Sequence, residues 1–211
     1  MPTLNIAVSV SGNGGSISRT TPRSADGGGI KEIAVPKGYA GTLSTRTDNE
    51  TGTLTLAGGH GITTAQVIDL YWSGGSRQAI TVGTVSVNSV PIGADDSGVG
   101  DNLPIATTAI VASPRVAFNA DIDGDSLAAL SMQMAYTNPA IDAESNLLLE
   151  DAANDDIAQV DFEANVPKLY DIEGGDSNPF TGDPITHGII SNGSSSADAT
   201  LKILWVQDST P

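Results

Sequence analysis

Residues 67–92 read VIDLYWSGGSRQAITVGTVSVNSVPI, and this stretch sets the fold class. Ile68, Leu70 and Trp72 alternate with Asp69 and Tyr71, the period-2 pattern of a strand with one face toward a core. Ser73-Gly74-Gly75-Ser76 supplies turn chemistry, and the β-branched run from Ile80 to Val87 returns alongside, so the stretch is expected to be a long hairpin. Ile80 and Val82 share one face of the return strand, whereas Val85 and Val87 share the other. Gly83 stands at that change of phase and marks the expected bulge, where a missing Cβ is tolerated and one extra residue re-aims the strand.

The same pattern recurs outward in both directions. Leu4, Ile6, Val8 and Val10 alternate with Thr3, Asn5, Ala7 and Ser9 up to Gly12-Asn13-Gly14-Gly15, which predicts a strand and a turn. Residues 16–29, SISRTTPRSADGGG, read either as a solvated loop or as an arm that reaches an acidic neighbour through Arg19 and Arg23. Short strands are predicted at 30–35, 40–46 and 53–57, the spacing of a sandwich or barrel. Residues 93–104, GADDSGVGDNLP, read as a connection that divides the chain into β domains 1–92 and 105–211, unless the whole is one domain.

Beyond it, strands are predicted at 105–113 and 115–119. In SLAALSMQMAYT the alternation of Leu130, Met132, Met134 and Tyr136 favours a strand over the helical face Leu127, Leu130 and Met134. Residues 144–150 read as a helical turn or an edge strand, and Val160, Phe162, Ala164 and Val166 alternate. Residues 185–191 and 200–207 read as a final hairpin around Asn192-Gly193-Ser194-Ser195-Ser196. The fold expected is all-β: an antiparallel β-sandwich or jelly-roll-like barrel with long hairpins.

Composition narrows the function classes. The 211 residues can bury roughly 70% of their unfolded surface, and with 2 Trp, 4 Tyr and 3 Phe the core must be built from aliphatic side chains. A formal charge of −16, from 25 acidic and 9 basic residues, repels phosphate backbones and anionic lipid, so neither a nucleic acid nor a membrane is an expected partner. With no cysteine there is no disulfide, thiolate metal site or Cys nucleophile. Met1-Pro2-Thr3-Leu4-Asn5 lacks the basic and apolar regions of a secretory signal, which implies synthesis in the cytoplasm.

The chemistry-bearing clusters are weak. Asp121, Asp123 and Asp125 begin like a calcium loop, but Met132 stands where the closing bidentate Glu belongs, so an acidic turn is the better reading and no metal is expected. Asp161 and Glu163 project from one face of a strand as paired glycosidase carboxylates do, yet Gln159 and Asn165 break the surrounding acidic pattern. His60 lies in a glycine-rich turn and His187 on a strand face, neither in a metal-ligand motif. There is no G-x-S-x-G nucleophile elbow and no P-loop, so neither a catalytic residue nor a cofactor site is assigned.

The hairpin IDLYWSGGSRQAITVGTVSVNSVPI, the loop GADDSGVGDNLP and the ending SNGSSSADATLKILWVQDSTP resemble small virion structural proteins of tailed bacteriophages. The resemblance implies a non-enzymatic, β-rich component that decorates or reinforces a capsid, with the major capsid protein and copies of itself as partners. A tail tube or tail-associated protein is the near alternative. A carbohydrate-binding or glycan-degrading module is the alternative of another class. In the assembly readings Arg19 and Arg23 are the expected interface residues.

Overall fold

The computed structural model describes residues 3–12, 15–24, 27–120, 131–137, 144–162, 167–170 and 185–207. Every element among them is a β-strand, and all the strand pairs are antiparallel. β1 (Thr3–Gly12) pairs with β2 (Gly15–Ser24) in a two-stranded ribbon of its own. Residues 16–24, expected as a loop or arm, are therefore a strand, held in register from Thr3↔Ser24 to Gly12↔Gly15. β3 (Gly27–Val35) then opens a different sheet.

From Tyr39 the chain builds a curled sheet of seven strands. These are β4 (Tyr39–Arg46), β5 (Gly52–Leu56), β6 (Val67–Trp72), β7 (Gly75–Thr81), β8 (Ser89–Ile92), β9 (Val99–Gly100) and β10 (Ala109–Pro114). Their order is β8-β5-β4-β10-β6-β7-β9. The sheet curls into a half-barrel, hereafter the barrel, and Val82, just past β7, makes an isolated bridge to Ile92 of β8. Inside lie Leu43, Leu54, Leu56, Ile68, Leu70, Ile80, Val82, Val90, Ile92 and Ile110, all buried. Each such side chain contributes roughly 1.5–3 kcal/mol relative to exposure, which is how a core without buried Trp or Phe holds.

The expected hairpin is present as β6 and β7, joined by the two-residue turn Ser73-Gly74 with Gly74 at φ 94°. Its bulge lies elsewhere than expected. The register slips between Ile68↔Ile80 and Leu70↔Arg77, placing Gln78 and Ala79 opposite Asp69. Ala79, at φ 57°, donates its N–H to Asp69 Oδ1 at 2.8 Å, so a carboxylate takes the place of a ladder carbonyl. At Gly83 the chain leaves the sheet: its N–H binds Pro91 O, Val85 is half-buried and Val87 is 83% exposed. The change of phase read at Gly83 is a strand end.

The second core is a sandwich. It comprises β11 (Val116–Asn119), β12 (Ser131–Thr137), β13 (Ser145–Glu150), β14 (Asp156–Phe162), β15 (Pro167–Tyr170), β16 (His187–Asn192) and β17 (Ala199–Gln207), together with β3. One sheet runs β11-β16-β13-β14 and the other β15-β12-β17-β3. Between them pack Ile33, Val35, Met134, Leu147, Leu149, Val160, Ile190, Leu201 and Ile203, with Tyr136 stacked on Phe162 at 5.9 Å. The period-2 reading of 131–137 was right. Residues 145–150 form an interior strand, with partners on both sides.

Two expectations about connectivity fail. The final hairpin is not one, because β16 and β17 lie in opposite sheets and residues 192–198 arch from one to the other; alternation reveals that both strands face a core but not who their neighbours are. Nor do the two cores divide at 93–104. The barrel, 39–114, is inserted between β3 and the remaining sandwich strands, and β10, beyond the expected break, is one of its inner strands.

Residues 93–104 are instead clamped by Arg77, which is 3% exposed. Its guanidinium donates to the carbonyls of Ser97 (2.6 Å), Gly98 (3.0 Å), Gly100 (3.4 Å) and Asp101 (3.0 Å) and pairs with Glu50 at 3.2 Å. Gly98, at φ 68°, has no room for a Cβ, which would meet Gln78 O at 2.0 Å. Arg77→Met strands four carbonyls, and we expect it to lower unfolding stability by about 3 kcal/mol in urea melts. A change below about 0.5 kcal/mol would show that water replaces the clamp without loss.

Candidate functional site

The outer face of the barrel's β6 is buried at two of its positions. Asp69 and Tyr71, on positions that alternation alone assigns to solvent, are 2% and 8% exposed. They abut the sandwich where the chain crosses between the two cores, at Val35–Tyr39 and again at Pro114–Val116.

The groups there form a directed chain of hydrogen bonds. Tyr71 Oη lies 2.6 Å from Ser191 Oγ, and Ser191 Oγ donates to Asp69 Oδ2 at 2.5 Å. Since the Ser191 proton points at Asp69, Tyr71 must donate to Ser191. Arg115 Nε stands 3.5 Å from Asp69 Oδ1 but is not aligned for a hydrogen bond, so its attraction is Coulombic. Around this chain Ser113 Oγ donates to Asn192 O, Ser145 Oγ to Ser191 O, and Asn192 Nδ2 to Ala197 O and Val35 O. Gly38 N–H meets Ser194 O at 2.8 Å.

Electrostatics follow from burial. Burial pushes the Asp69 carboxyl above its ordinary range, against the opposing pull of Arg115 and the donors Ser191 and Ala79. Burial likewise raises Tyr71, and the Asp69 charge adds to it. Glu150, on the other side of Arg115, is raised by burial and lowered by that same arginine. The Ser191 hydroxyl is fully buried and its proton is committed to Asp69. It is a fastener between the cores, with no room for a substrate.

Beside the seam runs an open cleft of about 740 Å³, whose walls include Tyr71, Trp72, Asp101, Glu144 and Ser195. It adjoins a second hollow of about 380 Å³ that shares Tyr71, Ser76 and Glu144 and adds Asp161. Asp101 Oδ2 accepts from Ser76 N–H, and Asp161 Oδ1 accepts from Asn146 and Gln159 side-chain amides.

The residues singled out in the sequence are scattered. Asp121, Asp123, Asp125 and Glu163 lie outside the described residues. Arg19 sits across from Val8 and Arg23 across from Leu4 on the ribbon. His60 is buried, accepting from Ile62 N–H at Nδ1 and donating from Nε2 to Val87 O. His187 Nδ1 contacts Thr186 Oγ1 and Asp151 O. Neither histidine meets the Asp69–Ser191 pair. Sequence reasoning passed over Asp69, Arg115 and Ser191; the one available signal was an aromatic, Tyr71, on a strand face otherwise assigned to solvent.

The charge pair yields a pH prediction. An acid whose folded pKa is raised penalises folding when ionised, and that penalty fades as pH falls through the folded value. Arg115→Met removes the opposing charge and deepens the penalty. We expect a loss of about 2–3 kcal/mol near pH 7.5, smaller at about pH 5, in denaturant melts of variant and parent. A loss that does not change with pH would mean that Arg115 acts only through packing.

Comparison with protein-family models, with curated proteins and with solved structures gives no match to this chain, so function must be argued from the geometry above.

Proposed function

We propose that the protein is a non-enzymatic structural subunit of a bacteriophage virion that decorates or reinforces the capsid through contacts with copies of itself and with the major capsid protein. The observation that carries the reading is the β1–β2 ribbon. Among the described residues it pairs with neither the barrel nor the sandwich, and a two-stranded ribbon is at best marginally stable alone in water, so it calls for a partner surface. The buried polar seam supports the same reading, because it spends its hydroxyls and carboxylate on holding two cores together. The virion setting rests on the resemblance of three sequence segments. A tail tube subunit shares these features and differs in the partner it binds.

A carbohydrate-binding module is the second reading, favoured by the half-buried Trp72 in a cleft of small-ligand size. The two separate by experiment. Deleting residues 1–24 is expected to leave a folded chain, with a circular dichroism spectrum like the parent's for the remaining strands and a melting temperature within a few degrees, that no longer enters particles. Normal incorporation of the truncated chain would overturn the assembly role of the ribbon. Loss of glycan hydrolysis in Asp161→Ala/Glu163→Ala would replace the reading with an enzymatic one.

A further inference from the structure

The ribbon has two unlike faces. Its register sets Leu4, Ile6, Val8 and Val10 across from Arg23, Thr21, Arg19 and Ile17, so the apolar residues and both arginines belong to one face. The opposite face carries Asn5, Ala7, Ser9 and Ser18, Thr20, Pro22. At about 3.3 Å per residue the ribbon is roughly 33 Å long, enough to lie across a neighbouring subunit.

Charge restricts where that face can go. Copies carrying −16 each repel one another, and seven of the nine basic residues lie outside the ribbon. Among those seven, Arg77 and Arg115 are consumed in the clamp and the seam, and Lys202 pairs with Glu32. The cleft beside the seam is complementary to the ribbon face. Its two adjoining hollows are lined by Asp101, Glu144 and Asp161; among the described residues no Lys or Arg lines them and no basic side chain pairs with any of the three. Trp72, half-buried in the wall, adds aromatic surface, on which a guanidinium stacks well.

We infer that the β1–β2 ribbon of one copy docks its Arg19/Arg23 face in the Tyr71–Trp72–Asp101–Glu144 cleft of a second copy of this chain. The inference rests on the assembly reading above and names its contact. Arginine–carboxylate pairs in a partly enclosed, aromatic-walled cleft are stronger than pairs on an open surface, and the apolar residues of the same face gain cover. Repeated head to tail, such an arm-to-cleft contact generates a closed ring or an open filament.

The test uses the full chain and two charge-reversed variants, Arg19→Glu/Arg23→Glu and Asp101→Arg/Glu144→Arg, each first shown to melt like the parent. Sedimentation at low salt should show parent oligomers, at least tenfold weaker association for each variant alone, and recovered association when the two variants are mixed, because a reversed arm then meets a reversed cleft. A second measurement exploits the absence of cysteine: oxidising a mixture of Arg19→Cys and Glu144→Cys chains should give a disulfide heterodimer beyond the homodimers of either alone. If the cleft variant associates like the parent while the arm variant does not, the arm binds elsewhere, and the inference falls while the assembly reading stands. If the parent is monomeric and deletion of residues 1–24 changes nothing in particle incorporation, both fall. A glycan that fills the cleft and leaves association unchanged would also overturn the docking site.

Discussion

The Asp69 carboxylate is the constraint on which the rest of the molecule depends. It lies between two hydrophobic cores where water cannot reach it, and a buried charge is tolerated only with partners. Those partners come from both sides: Ala79 from the barrel's own bulge, Ser191 from the sandwich, and Arg115 from the short crossing between them. The bulge at Gln78–Ala79, the burial of Tyr71 and the position of β16 against the barrel all serve this one group. Aliphatic packing makes each core stable, whereas the carboxylate fixes how the cores sit together, because few other arrangements would satisfy it. This division of labour suits the proposed assembly role, in which surfaces are presented in fixed relation to neighbouring copies.

Insertion explains why the seam exists. The barrel leaves the sandwich after β3 and returns at β11, so two segments of chain cross the junction side by side, with Ala112 paired to Tyr39. Crossing backbone must keep its polar groups satisfied, and the arch from Asn192 to Asp198 does this by meeting Val35, Lys37, Gly38 and Ser113. The same arch turns β17 away from β16 into the opposite sheet. A tight turn at Asn192-Gly193 would have made a hairpin; the side-chain amide of Asn192, folded back onto Ala197 O, makes an arch instead.

Strand identity was legible in the sequence wherever one face met the core and the other met water. Leu201, Ile203 and Trp205, buried on either side of the exposed Lys202, alternate cleanly for that reason. Legibility failed where both faces were buried. Ile68, Asp69, Leu70 and Tyr71 are all enclosed, and the pattern showed only the barrel side. It failed again for pairing, since β16 and β17 look alike whether they are neighbours or stand across a core. Glycine-rich composition misled at 93–104, where glycines admit the close approach that Arg77 requires and do not mark a joint. The cleft was invisible because Asp101, Glu144 and Trp72 converge from three distant segments.

Native-state hydrogen exchange, read residue by residue on the isolated chain and on the proposed assembly, tests the account most directly. If the seam joins barrel and sandwich into one cooperative body that carries a separately paired ribbon, amides of β6, β10, β13 and β16 should exchange with a single free energy, equal to that of global unfolding. The ribbon amides of β1 and β2 should exchange fast in the isolated subunit and become protected on assembly. Two separate free energies for barrel and sandwich, or a ribbon as protected alone as it is assembled, would contradict it.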